Sequence, residues 1–446
     1  MLASLARIGK RKGGCRVKSS RFLYSLLALC TVIAITALPG CGDSGRSRTS
    51  DNTAGSGEGN RSQPVVLRYT SFQLDSASIY FDTIAEFERA NPDIRIEVDY
   101  IENANYTTGL KMRLLGGEKM VVFDVWSPSL FEEIRRLEHN VYLDLNGSDF
   151  LNDFLPSSLE PVTIGGRVYG VPGLMHTCGL LFNRSMFERL GLEVPKTWEE
   201  FLEVCEALKS YGIVPIAFNS EWWVPQFLFG SMMSNNGADA AWTNKLEQGE
   251  VKADDPILID AMMKTKLIVD RGYVPADWQR HKHEQSREMM VRGEAAMLVT
   301  GTWDLPVITG GSPDQDFDFM MVPGEERTVP NLNIGSYKVI SSGTAHPEEA
   351  KRFLAYMNGR ERQQELAGKL LAVPAVHNAH IDDPVVNKIS AFVTRQDAAI
   401  YWPHTVSTES LQVAILEQVN AYLTGKNLSS SISSIQQQLD RHRIPQ

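Results

Sequence analysis

At 446 residues the chain is too long for one ordinary domain and suits two or three. Its 43% apolar and 22% charged residues are those of a soluble globular protein. A formal net charge of −10 argues against nucleic acid as a partner, because phosphate binding needs basic patches. The N-terminal segment differs from the rest. Arg7, Lys10, Arg11, Lys12, Arg16, Lys18 and Arg21 stand there without an acidic residue, and the apolar run 22–37 follows. That run is shorter than the ~20 residues of a membrane span. A basic start, an apolar middle and small residues at the end predict a secretory signal over residues 1–40. Its removal would make the remaining chain more acidic still.

Directly behind the apolar run stands Leu38-Pro39-Gly40-Cys41. It resembles the lipobox of bacterial lipoproteins. The resemblance implies that Cys41 becomes a lipid-bearing N-terminus fixed to a membrane. Residues 42–64 hold almost no apolar side chain and cannot bury enough surface to offset their ordering entropy. They are expected to form a flexible tether. Of the five cysteines, Cys15 and Cys30 lie in the signal, and only Cys178 and Cys205 remain beyond Cys41. Two cannot build a disulfide framework, and a single bond between them stays open. Cys205 falls on the apolar face of a predicted helix and reads as core packing.

"VVLRY" at 65–69 predicts a strand. Tyr80, Ile84 and Phe87 share one face of a helix over 78–90, which Asn91-Pro92 stops. "IRIEVDY" alternates Ile94, Ile96 and Val98 inward as a second strand, and "VVFDVWS" is a third, ending at Trp126. Thr197 to Glu200 form a capping box that opens a helix with Trp198, Phe201, Leu202, Cys205 and Leu208 inward. Pro347 opens another, with Ala350, Phe353, Leu354 and Met357 in helical register. Strands alternating with helices predict βαβ units in α/β lobes. The stretch from Leu428 onward reads as a polar terminal helix.

Signatures of catalysis are mostly missing. There is no G-x-S-x-G elbow and no H-E-x-x-H. "AGKLL" (367–371) lacks the first glycine and the hydroxyl residue of a phosphate loop. "HKHE" (281–284) reads as a solvated loop, since no further metal ligand is at hand. No metal and no cofactor is implied. Acid pairs suited to glycoside hydrolysis exist among the 54 carboxylates, but context singles none out. The aromatic residues are more informative. Trp126, Trp222, Trp223, Trp303 and Trp402 fall at predicted strand ends or in loops, beside polar or turn residues. Such rings stack on the C–H faces of sugars, while carboxylates and amides bind the hydroxyls. A structural role fits any single one of them equally well.

Three stretches carry a family pattern. Tyr169–Pro172, Phe182-Asn183, Met186–Leu190, Gly191-Leu192 and Pro195–Glu200 form the first; "RGEAAMLVTGTWDLP" (292–306) is the second; "GSYKVISSGTAHPEEAKRFLAYM" (335–357) is the third. Together they resemble the extracellular solute-binding proteins of ATP-binding-cassette importers, in the sugar-binding family 1 group. The resemblance implies an α/β, two-lobed fold of the type II periplasmic-binding-protein kind. Crossover strands would join the lobes, with the ligand cleft between them. It places one lobe at 65–172 and 317–345 and the other at 173–316 and 346–437, with a polar tail at 438–446. By position the cleft would receive Phe72, Gln73 and Asp75, then Trp126 and Ser127, then Met175 and His176. Glu221, Trp222, Trp223, Trp303 and Asp304 would follow, with Asn333, Tyr337, Tyr401 and Trp402. The implied function is capture of a sugar or oligosaccharide, without catalysis, and its delivery to a membrane permease with separate ATPase subunits. The protein is expected to act outside the cytoplasm as a lipid-anchored monomer. Two other readings fit the same chain: an anchored carbohydrate-active hydrolase, and a sensory binding protein that docks on a receptor.

Overall fold

The computed structural model describes residues 63–73, 77–118, 120–138, 140–221, 223–393 and 399–443. The predicted signal, Cys41 and most of the tether lie outside them, as do Asp75 and Trp222. Among the described residues no helix is long and apolar enough to cross a membrane.

Two sheets organise the chain. The first has the order Ile94–Tyr100, Val65–Ser71, Val122–Val125, Tyr337–Ile340, Gly170–Pro172. Its first three strands are parallel, and Tyr337–Ile340 runs antiparallel to both neighbours. Alternation along a strand feeds both faces. Val122 joins a cluster with Leu67, Tyr69, Phe87 and Phe353, under the helices Ala77–Ala90 and Pro347–Asn358. Phe123 and Val125 join one with Leu110, Phe131 and Ile134, under Tyr106–Leu115 and Pro128–Leu137.

The second sheet has the order Phe317–Met320, Cys178–Asn183, Ala295–Gly301, Val214–Ala217. Every residue of Cys178–Asn183 and Ala295–Gly301 is buried. Such strands are covered on both faces and so read as continuous apolar runs. Trp198–Ser210, Trp223–Asn235, Pro256–Asp270, Glu409–Leu423 and Leu428–Arg443 supply the larger core. His283–Val291 and Leu305–Gly311 cover the other face. The Thr197 capping box forms as expected, with Glu200 N–H donating to Thr197 Oγ1 at 3.2 Å. Cys178 and Cys205 are buried free thiols, so no bond joins them. Burial pushes the Cys178 thiol up to about 12 and the Cys205 thiol higher still.

A short third ladder of Ala399–Ile400, Asn331–Ile334 and Met175–His176 lies between the sheets. These are the crossing strands of a two-lobed α/β fold. Three expected boundaries need correction. Phe317–Met320 pairs with Cys178–Asn183 in the second sheet, not the first. Pro347–Asn358 packs on the first sheet, not the second, and Arg360–Leu370 packs against it there. The chain crosses at Asn331–Ile334, and local pattern cannot reveal which sheet a strand or helix joins after a crossing. The helix expected from Leu428 onward forms and runs to Arg443, and the tail expected from 438 belongs to it, with Leu439 fully buried in the larger core.

Gly179 tests how tightly the second sheet is closed. A Cβ there would stand 2.4 Å from the Met320 carbonyl oxygen, on the neighbouring strand. Gly179→Ala is expected to lower stability by about 2 kcal/mol in urea unfolding, as overpacking does. Gly310→Ala, whose Cβ would meet nothing within 4 Å, should leave the midpoint unchanged or raised.

Candidate binding site at the carboxyl ends of two sheets

In open α/β sheets ligands bind beyond the carboxyl ends of the strands. In the first sheet Val65–Ser71 and Val122–Val125 end side by side, and Phe72 and Trp126 follow them. Phe72, Tyr106 and Trp126 form a three-ring cluster with centroids 5.2–5.4 Å apart. Beneath it Asp124, fully buried, accepts from Ser71 Oγ at 2.6 Å and from the Tyr69 hydroxyl at 3.0 Å, and pairs with Lys338 at 3.3 Å. Tyr106 donates to the Asp124 carbonyl at 2.7 Å. This buried charge is fully partnered and holds the strand ends together. Ser127, also buried, caps the helix Pro128–Leu137 through the Leu130 N–H. Gln73 is half-buried, and its Oε1 has no hydrogen-bond partner.

In the second sheet Ala295–Gly301 ends in Thr302-Trp303-Asp304. The Trp303 ring lies over Gly301, where a Cβ would collide with it at 2.0 Å, so only glycine fits. The half-buried ring meets the edges of His176 and Phe227. His176 lies on a crossing strand, pairs in register with Asn333 and bonds Thr302 Oγ1 through Nδ1 at 3.1 Å. Burial lowers its pKa to about 4, so the imidazole is neutral. Asn333 donates to the Cys178 sulfur at 3.4 Å.

Asp304 is expected at the ligand, but the structure gives it another role. It has no exposure and accepts from Thr300 Oγ1, from His283 Nε2 at 2.7 Å and from Arg287 Nε at 2.7 Å. Burial alone would raise its pKa; His283 and Arg287 outweigh burial and hold it at about 2. Glu221 joins the same network, accepting from Trp223 Nε1 at 3.0 Å, while the Trp223 ring meets His283 with centroids 4.5 Å apart. His283 comes from the "HKHE" stretch expected in solvent; it is 4% exposed instead. Tyr337 and Trp402 also depart from expectation. Both are core residues: Tyr337 is the first residue of a fully buried strand of the first sheet, and Trp402 opens a turn with its buried ring against Phe229. Tyr401 donates to the Gln226 carbonyl at 2.8 Å. Among the described residues no cluster could hold a metal.

One residue the sequence did not point to is Glu409, the first residue of the helix Glu409–Leu423. Its Oε1 accepts from Trp126 Nε1 at 3.1 Å and from Thr107 Oγ1 at 2.9 Å, both from the first lobe. Burial pushes its pKa up to about 7 against the pull of Lys111. Around it Ser129 Oγ donates to the Val406 carbonyl at 2.6 Å, and the Ser410 N–H donates to Glu133 at 2.6 Å. The lobes therefore touch at this helix start.

The Asp304 network carries a pH signature. Its depressed pKa stabilises the fold above the ordinary aspartate range, and that contribution is lost as pH falls through about 2. Asp304→Asn should cost roughly 3 kcal/mol at pH 7, since it strips a buried charge pair of one partner. The gap between variant and parent, measured by urea unfolding, should begin to narrow below pH 4.

A family model for bacterial extracellular solute-binding proteins matches residues 74–364. A multiple sugar-binding protein of Streptococcus mutans is 24% identical over 367 residues, covering 79% of this chain and 84% of that protein. An extracellular-binding protein of an ABC transporter from Pyrococcus horikoshii is 26% identical over 361 residues, covering 78% of this chain and 81% of its own. Among solved structures, a solute-binding protein in complex with raffinose aligns with a TM-score of 0.75 at 20% identity, over 85% of this chain and 100% of the other. A sugar transporter protein of Bacillus licheniformis in complex with stachyose gives 0.73 at 16% identity, over 85% and 100%. The matched span, the two sheets and the strands that cross between them place this chain in the family of bacterial extracellular solute-binding proteins.

Proposed function

We propose that the protein captures a sugar or an oligosaccharide between its lobes and delivers it to an ATP-binding-cassette permease, which uses separate ATPase subunits. One observation carries the reading. Half-buried aromatic rings, Phe72 and Trp126 in one lobe and Trp223 and Trp303 in the other, stand at the carboxyl ends of both sheets, beside shared crossing strands. Rings on two sides suit the two apolar faces of a pyranose, and Gln73, Glu221 and Asn333 are the polar groups for its hydroxyls. The names of the matched relatives and the sugars bound by the aligned structures support the same ligand class.

The protein carries out no chemistry in this reading. Asp304 is the carboxylate nearest Trp303 in sequence, and it is occupied by its own partners, which disfavours the hydrolase alternative. Ligand affinity for the closed lobes would drive closure about the crossing strands. A single chain supplies both halves of the site, so a monomer suffices. Cys41 would carry the lipid, residues 1–40 would be removed as its signal, and 42–64 would tether the body outside the cytoplasm.

Calorimetric titration with raffinose, stachyose and oligosaccharides of xylan and chitin tests the ligand class. Binding to at least one is expected, and binding of another solute class with none of these would overturn the reading. For a sugar that binds, Trp303→Ala should weaken affinity at least tenfold, about 1.4 kcal/mol, and Trp303→Phe less. Unchanged affinity in a folded Trp303→Ala would make that ring structural. Mass spectrometry of the membrane-bound protein should find a diacyl or triacyl group on Cys41, and an unmodified cysteine would remove the anchor.

A further inference from the structure

The helix Glu409–Leu423 begins with two buried acceptors that no described residue satisfies. Glu409 and Gln412 are each 3% exposed. They are three residues apart and therefore neighbours on one helix face. Glu409 uses Oε1 for Trp126 and Thr107, and its Oε2 has no hydrogen-bond partner. Gln412 spends its amide N–H on Gln226 Oε1 at 3.3 Å, and its own Oε1 has no partner. Both orphans are acceptors. Leaving a buried acceptor unmade costs roughly 1–3 kcal/mol, more for a charged group. Gln73 Oε1, directly after Phe72, is a third of the same kind on the facing lobe.

Resting on the sugar reading above, we propose that this helix start is a ligand subsite, in which Glu409 Oε2 and Gln412 Oε1 accept hydrogen bonds from hydroxyls of the bound sugar. The place suits it. Glu409 touches Trp126, at the end of a first-sheet strand, from a helix rooted in the second lobe, so the subsite spans the line along which the lobes meet. A ligand entering as the lobes part reaches both acceptors, and closure shields the new bonds from water. Acceptors without donors select a ligand rich in O–H groups and repel one that brings a carboxylate or phosphate.

Titration supports the geometry. Burial raises the Glu409 pKa to about 7. The charged groups facing it are Lys111 on Tyr106–Leu115 and Glu133 on Pro128–Leu137, which pair with each other. His404, in the turn just before the helix, is held neutral by burial, at about 4. A hydroxyl donating to Oε2 favours the ionised form, so binding should lower the pKa and release a proton near pH 7.

The test uses the whole protein and the sugar panel named above. For a sugar that binds, affinity should rise as pH goes from 5.5 to 8, with proton release at pH 7 read from binding heats in buffers of different ionisation enthalpy. Glu409→Gln should bind at least tenfold more weakly at pH 8 with a flat pH profile, and Gln412→Ala should lose several-fold. Binding in the parent protein without pH dependence or proton release overturns the subsite and leaves the sugar reading standing; so does parental affinity in a folded Glu409→Gln. Failure of every sugar on the panel to bind the parent protein overturns the sugar reading, and the subsite falls with it.

Discussion

The molecule depends on how little connects its two halves. Three short strands, Met175–His176, Asn331–Ile334 and Ala399–Ile400, form the ladder between the sheets. Beyond that ladder, the lobes touch where the helix Glu409–Leu423 begins. Each has its own apolar cores, on both faces of its own sheet. In the proposed closure the ladder would act as the hinge, and the bonds at that helix start would have to break for the lobes to part. Close backbone approaches mark where the crossing is tight: the Gly335 N–H bonds the Leu174 carbonyl at 3.0 Å, and the Gly173 N–H bonds the Ser336 carbonyl at 2.7 Å. A Cβ on Gly335 would press on the His176 ring.

Each lobe also buries one anchored carboxylate at the end of its sheet. Asp124 with Lys338, Ser71 and Tyr69 fixes the first, and Asp304 with His283, Arg287 and Thr300 fixes the second. Burying a charge is expensive, and such a pair adds little net stability over an apolar substitute. What it supplies is position. Each holds an aromatic loop, Phe72 and Trp126 in one case and Trp303 in the other, at a defined place on a rigid strand end. In the proposed site, rings preformed in this way would lose little entropy on binding.

Much of this was legible in the sequence where the physics is local. The helix Ala77–Ala90 buries Tyr80, Ile84 and Phe87, and the Thr197 cap closes as its residue types dictate. Trp126 and Trp303 fall at strand ends, because turn residues beside an apolar run announce where a strand stops. The rest is set by contacts between distant residues. Glu409 lies 283 residues from the Trp126 that bonds it, and nothing near Glu409 distinguishes it from other helix-starting acids. His283 looked solvated because its partner, Asp304, is on another element. Phe317–Met320 has the pattern of any strand, and its sheet is chosen by pairing with Cys178–Asn183.

The two thiols bear on how such a protein is made. Proteins that work outside the cytoplasm meet oxidants, and many rely on disulfides formed there. Here Cys178 and Cys205 are packed into the second lobe's core, and burial keeps both protonated at any physiological pH. A thiol that is neither exposed nor ionised is a poor nucleophile. Among the described residues no disulfide sets the covalent structure, and packing holds the body together. Once the body is folded, these two thiols are shielded from oxidants in its surroundings.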